Sequence, residues 1–202
     1  MAPVKLFLVR HGQTEWNRLG KAQGHTDTEL DEEGLHQSRR LADLLGEEPI
    51  DWVVTSDLRR SVSTAEALGK PLELDPDLRE RSFGDWEGQP YEEVRELLRT
   101  IEHPPNGESF QQLWERLGLA ADRLRMRTGN GLVVTHGGAC AVLLAHLIGG
   151  TPEVSRGFRF SNTGVSCLHR RPDGSYVLIQ YNDCRHLDRV ALSGDLQGVH
   201  RT

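Results

Sequence analysis

Residues 4–12 read Val4-Lys5-Leu6-Phe7-Leu8-Val9-Arg10-His11-Gly12. The run is short and mostly apolar, with two valines and a phenylalanine, and it predicts a buried strand. It passes without a spacer into arginine, histidine and glycine. The same pattern recurs at Leu132-Val133-Val134-Thr135-His136-Gly137-Gly138. Between them, Ile50–Thr55 predicts a further strand that runs into Ser56, with Arg59 and Arg60 in the next helical turn. Three strand ends therefore carry arginine or histidine. In open α/β sheets, ligands bind beyond the carboxyl ends of the strands.

Working outward, Leu35, Ser38, Leu41, Ala42 and Leu45 recur at helical spacing, with Gly46 expected as a left-handed stop. Ser56 is expected to cap a helix that buries Leu58, Val62, Ala65 and Leu68. Pro71–Leu74 predicts a short strand. Pro90 opens a helix with the stripe Val94, Leu97, Leu98 and Ile101. Ser109 and Gln112 make a capping box for a helix to about Met126. Another helix covers Gly138–Ile148 and stops at Gly149-Gly150. Gly164–His169 and Ser175–Tyr181 alternate as strands around the turn Pro172-Asp173-Gly174. Residues 12–30 and 75–89 read as loops, and beyond Asn182 the pattern fades into a tail expected to be partly mobile. Strands alternating with helices make this an α/β protein with a mostly parallel sheet and an antiparallel C-terminal hairpin. No repeat or linker interrupts the chain, so residues 1–202 are expected to form one domain. The stretch 80–110 is expected to cap one end of the sheet.

Composition removes several function classes. The 202 residues are 37% hydrophobic and 27% charged, an ordinary globular balance. Thirty acidic against 24 basic residues give a net charge of −6, which argues against a nucleic-acid binder. Mean hydropathy is −0.51, and no apolar run approaches the ~20 residues that span a bilayer. With a short apolar N-terminal run ended by Arg10 and three cysteines that form no CxxC pair, a cytoplasmic protein with no membrane partner is expected. A homodimer stays open. No metal-ligand spacing and no nucleotide-binding glycine motif occurs, so neither metal nor cofactor is expected. None of Cys140, Cys167 or Cys184 is followed six places later by the arginine that a tyrosine-phosphatase loop needs.

The strand-end residues suit one chemistry. Guanidiniums hold tetrahedral oxyanions through forked hydrogen bonds, and amides at a helix start add donors. Cations disfavour protonation of nearby imidazoles, and a neutral imidazole keeps one ring nitrogen free as a nucleophile. Phosphoryl transfer through a phosphohistidine fits, because its loose transition state needs mainly positioning and charge stabilisation.

Leu8-Val9-Arg10-His11-Gly12-Gln13-Thr14-Glu15-Trp16-Asn17 resembles the signature of the histidine phosphatase superfamily, also called phosphoglycerate mutase-like. The resemblance continues through Gln23-Gly24, Asp27 and Leu30, then Ser56–Ala65, Leu78–Gly88, Gly107-Glu108-Ser109 and Val134–Gly138. It implies a three-layer α/β/α sandwich. It also implies His11 as the phosphorylated nucleophile and Glu80 as proton donor to the leaving oxygen. Arg10, Arg60 and His136 hold the phosphoryl group, with Asn17 assisting and the Gly137 helix start adding amide donors. Asp57 and Ser61 stand where the family often has proline and alanine, and Asp57 lies near the phosphate pocket. Glu87 and Glu108 read as loop and cap residues, and Trp86 as packing or a substrate flank. Arg79, Arg81 and Arg185 are candidates to read a second negative group. The expected function is metal-independent hydrolysis of a small phosphorylated metabolite. Family mutases have a longer insertion after the acid motif; here Glu80 to Glu108 is 28 positions. The alternatives are a phosphoglycerate mutase, a phosphoprotein phosphatase and a phospholigand-binding module.

Overall fold

The computed structural model describes residues 4–101 and 103–187. Its six strands form one sheet, and the side chains of the inner strands alternate between two apolar layers. In β1 (Lys5–Arg10), Leu6 and Leu8 face one layer while Phe7 and Val9 face the other. This is the period-two geometry of a strand buried on both sides. The remaining strands are β2 (Trp52–Thr55), β3 (Leu72–Leu74), β4 (Gly131–Thr135), β5 (Val165–Arg170) and β6 (Tyr176–Asp183). Their order across the sheet is β3-β2-β4-β1-β5-β6. The pairs from β3 to β1 are parallel, and β1–β5 and β5–β6 are antiparallel.

The first layer is built by α5 (Phe110–Arg125) and α6 (Gly137–Ile148), which deliver Leu113, Leu117, Ala121, Val142, Leu143 and Leu147. On the other face α2 (Glu32–Leu45) and α3 (Arg59–Glu66) deliver Leu41, Leu45 and Ala65. The three-layer α/β/α arrangement and the C-terminal hairpin agree with the expectation. A satellite core of Ala22, Phe83, Trp86 and Val94 packs beneath α4 (Tyr91–Leu97), so Trp86 is a packing residue. Two short helices add to the expected elements: α1 (Glu15–Arg18) lies in the stretch 12–30 read as a loop, and α7 (Pro152–Ser155) in 151–163, for which the sequence predicts no element. α1 forms because Thr14 and Asn17 make a reciprocal capping box.

Four local readings need correction. Gly46 closes α2 in the right-handed region, at φ −61°, with its N–H bonded to the Asp43 carbonyl. Ser56 does not cap α3, whose cap residue Leu58 offers no side-chain bond. Instead Asp27 Oδ1, from a remote loop, accepts the Arg59 N–H at 2.7 Å. Residues Val62 and Leu68 are only partly covered, because the buried side of α3 carries Arg60, Ser61, Thr64 and Ala65. Helix α4 ends at Leu97, which leaves Ile101 exposed rather than on its buried stripe. The tail's expected mobility concerns residues 188–202, which lie outside the described residues.

Candidate active site

The carboxyl ends of β1, β4 and β2 stand side by side, and register alone brings their terminal residues together. Arg10 pairs with Thr135, and Thr55 with Val134. Beyond the ladder, the His11 N–H donates to the Thr135 carbonyl at 2.8 Å and the Ser56 N–H to the Val134 carbonyl at 3.0 Å. His11, His136 and Ser56 are thereby held on one edge. The loop that follows β1 also passes close to α2. A Cβ on Gly12 would fall 2.7 Å from the Gly34 carbonyl oxygen, so only glycine permits this path. The Gly12 N–H is fixed by Thr64 Oγ1 at 2.9 Å.

His11 and His136 are both buried, with ring centroids 5.2 Å apart in an edge arrangement. His11 Nδ1 lies 2.6 Å from the Gly12 carbonyl. A carbonyl only accepts, so Nδ1 carries the proton and Nε2 keeps its lone pair. Burial holds the His11 pKa well below its ordinary value, reinforced by Arg60 and Arg10 and opposed by the Gly12 bond. His136 is also held well down, by burial and then by Arg60, His11, Arg10 and His25. Its Nδ1 accepts from Arg60 Nε at 3.2 Å, which places the proton on Nε2, bonded to Ser56 Oγ at 2.9 Å. Buried Ser61 Oγ lies 3.4 Å from the same nitrogen. Ser56 and Ser61 thus fix the second imidazole, a role that sequence reading missed.

Arg60 is almost fully buried, and burial lowers its pKa to about 10, which leaves it cationic at neutral pH. Its Nη1 donates to the Thr26 carbonyl and its Nη2 to the Gly24 carbonyl, each at 2.8 Å. With Nε on His136, two of the five guanidinium N–H groups remain for an anion. Arg10 Nη1 donates to the Phe160 carbonyl at 2.6 Å, while its buried Nε has no acceptor. Gly137 is the first residue of α6, where the amide has no intrahelical partner. Asn17 Oδ1 accepts from Thr14 N at 3.1 Å and Asn162 Nδ2 at 3.4 Å, which leaves the Asn17 amide nitrogen as a donor.

Glu80 closes the group. Its Oε2 accepts the Gly138 N–H at 2.8 Å and its Oε1 the Arg81 N–H at 2.9 Å. Glu87 acts as a backbone organiser, accepting from the N–H groups of His25, Thr26 and Phe83. Those bonds shape the loop whose carbonyls hold Arg60. Glu108 pairs with Arg116. Asp57 is neutralised by a bidentate bond to Arg79, at 2.7 and 2.5 Å. Arg79 is therefore occupied, as are Arg185 on Asp183 and Arg81 Nε on the Glu108 carbonyl. His25, unassigned from sequence, bonds the Glu80 carbonyl through Nε2 at 2.9 Å. Asn162 and Thr163 were also missed. Asn162 Nδ2 donates to the His11 carbonyl at 2.8 Å, and Thr163 N to the Arg10 carbonyl at 2.9 Å. Their only sequence signal is an Asn-Thr-Gly turn directly before a strand. Among the described residues, no cluster of three or more His, Cys, Asp or Glu side chains is placed to hold a metal, and no helix is long and apolar enough to cross a membrane.

Comparison with known proteins places the fold and the family. Phosphoglycerate mutase-like protein 4 of Arabidopsis thaliana is 34% identical over 98% of this chain and 94% of its own. A metal-independent phosphoserine phosphatase of the same plant is 34% identical over 93% of this chain and 84% of its own. The crystal structure of the α-ribazole phosphatase from Shigella flexneri superposes with a TM-score of 0.82 at 30% identity, covering 89% of this chain and 96% of that one. The sequence model of the histidine phosphatase superfamily (branch 1) matches residues 6–183, and the chain is an enzyme of that superfamily.

Proposed function

We propose that the protein is a metal-independent phosphomonoesterase that hydrolyses a small phosphorylated metabolite through a phosphohistidine on His11. The observation that carries this reading is a buried Arg10 Nε without an acceptor, next to a neutral His11 whose Nε2 is free. Buried donors are almost always paired, so an anion belongs there. Arg10, the two remaining Arg60 N–H groups, the Gly137 amide and Asn17 Nδ2 bind the phosphoryl oxygens. His136 orients Arg60 and offers its Nε2–H, which Ser56 Oγ otherwise accepts. His11 Nε2 attacks phosphorus, a P–N bond forms and the P–O bond to the leaving group breaks. Glu80 delivers a proton to that leaving oxygen, because an alkoxide is a poor leaving group. Water then attacks the phosphohistidine, Glu80 takes its proton, and the P–N bond breaks to release phosphate and restore neutral His11. The gathered cations stabilise the charge of both transition states. Residues 80–110 form the cap that meets the rest of the substrate. The relatives named for phosphoserine and α-ribazole phosphate support a small metabolite as substrate.

The test is wild type and His11→Ala against a panel of phosphomonoesters with chelator present, with 3-phosphoglycerate isomerisation followed in parallel. Hydrolysis by wild type alone, with an acid-labile phosphoenzyme trapped on rapid quench, is the expected result. Loss of turnover in chelator, restored by a divalent metal, refutes the mechanism. The mutase-like relative makes isomerisation the second reading, and isomerisation without phosphate release selects it.

A further inference from the structure

Arg116 lies on α5 and touches no group assigned to the phosphoryl pocket, yet all five of its N–H groups are spent on the Glu80 loop and its support. Nη1 donates to the carbonyls of Asp77 at 2.7 Å and Arg79 at 3.0 Å. Nη2 donates to the Glu80 carbonyl at 3.2 Å and to Glu108 Oε2 at 2.7 Å, and Nε to Glu108 Oε1 at 2.9 Å. Both partners are largely covered, with side-chain exposures of 18% and 14%. The Arg79 and Glu80 carbonyls belong to the two peptide planes that flank the Glu80 Cα. Holding both planes fixes φ and ψ at Glu80, and so the direction in which its side chain leaves the backbone. His25 Nε2 bonds the same Glu80 carbonyl at 2.9 Å, and Arg81 Nε ties the Glu108 carbonyl to the same unit.

We propose that Arg116, oriented by the Glu108 carboxylate, is a positioning residue that sets the aim of Glu80 toward the leaving-group oxygen. The proposal rests on the reading of Glu80 as proton donor. The bidentate pair has a chemical reason: a guanidinium plane locked by a carboxylate presents its remaining N–H groups in one fixed direction, which a flexible ammonium cannot do. A proton donor needs such control, since transfer requires hydrogen-bond reach and misplacement by about 1 Å costs on the order of a hundredfold.

The experiment compares kcat/KM for p-nitrophenyl phosphate, whose leaving group needs little help, with phenyl phosphate and glycerol 2-phosphate, whose leaving groups need protonation. The enzymes are wild type, Arg116→Met, Arg116→Lys, Glu108→Gln, Glu80→Gln and the Glu80→Gln/Arg116→Met double variant. We expect Arg116→Met to lose about tenfold more on the poor leaving groups than on p-nitrophenyl phosphate. In the Glu80→Gln background the same change adds less than about threefold, because the group it aims is already disabled. Should Arg116→Met fail to fold, Arg116→Lys and Glu108→Gln carry the same comparison with smaller disturbance. Equal losses on all substrates, while Glu80→Gln stays selective, overturn the positioning role. Equal losses from Glu80→Gln itself overturn the proton-donor reading, and this proposal with it.

Discussion

Gly138→Ala separates catalysis from stability at a single atom. A Cβ at position 138 would stand 2.6 Å from Glu80 Oε1, 3.3 Å from its Cδ and 3.4 Å from Oε2. Ordinary contact begins near 3.4 Å, so the carboxylate must retreat by about 0.8 Å, the difference from 2.6 Å. The obstacle is the far end of a flexible side chain, and the backbone has no need to move. Retreat breaks the 2.8 Å bond from the Gly138 N–H to Oε2 and turns the proposed donor away from the pocket. The same methyl favours α6, where alanine exceeds glycine by up to about 1 kcal/mol. The expected outcome is a Tm unchanged or raised by a few degrees. With it comes a loss of roughly tenfold to a hundredfold in kcat/KM for phenyl phosphate, and a much smaller loss for p-nitrophenyl phosphate. The assays are a thermal melt and steady-state kinetics on both esters. Wild-type activity on phenyl phosphate would refute the placement of Glu80 as donor. A lower Tm with equal losses on both esters would show that the methyl disturbs the helix rather than the carboxylate.

Arg60→Met removes three bonds to His136 and the 24–26 loop as well as the proposed anion donors, and should cost roughly 3–5 kcal/mol of transition-state stabilisation. An unchanged kcat/KM excludes Arg60 from the pocket. His11 and His136 are held well below the ordinary histidine pKa of 6.5, so proton NMR should show both rings still neutral as pH falls through 6.5. Either ring titrating at or above that value contradicts the site electrostatics. Because the depressed pKa values belong to the folded state, both histidines stabilise the fold fully above pH 6.5 and lose that contribution as pH falls toward the folded values. Ser109→Ala deletes the cap that accepts the Gln112 N–H at 3.1 Å and should cost about 1 kcal/mol, a Tm drop of ~2–4 °C, with no change in kcat/KM. A fall in kcat/KM there, at unchanged Tm, would show that Ser109 acts on substrate.

What the sequence determined by itself was the alternation of strands and helices and the residues at the strand ends. Burial on two faces of a strand, helical spacing and the Ser109–Gln112 capping box are properties of neighbours in the chain, so they are written in a short window. Parallel strands with a common carboxyl edge then oblige Arg10, His11 and His136 to meet. The resemblance carried Glu80 and Asn17, which lie in a loop and in the four-residue α1, where no periodicity reveals them.

Tertiary structure alone decided which groups serve them. Asp27 caps α3 across 32 positions, and this frees Ser56 to bond His136 across 80. Asp57, placed near the phosphate pocket on sequence grounds, is neutralised by Arg79. Arg116 reaches back 36 residues to the Glu80 carbonyl, and Gly138 reaches 58 to its carboxylate. Each of these contacts joins polar groups whose residue types are common on any protein surface. Their pairing depends on where chain crossovers bring them and on the need to satisfy each buried donor and acceptor, which becomes a constraint only once the layers have packed.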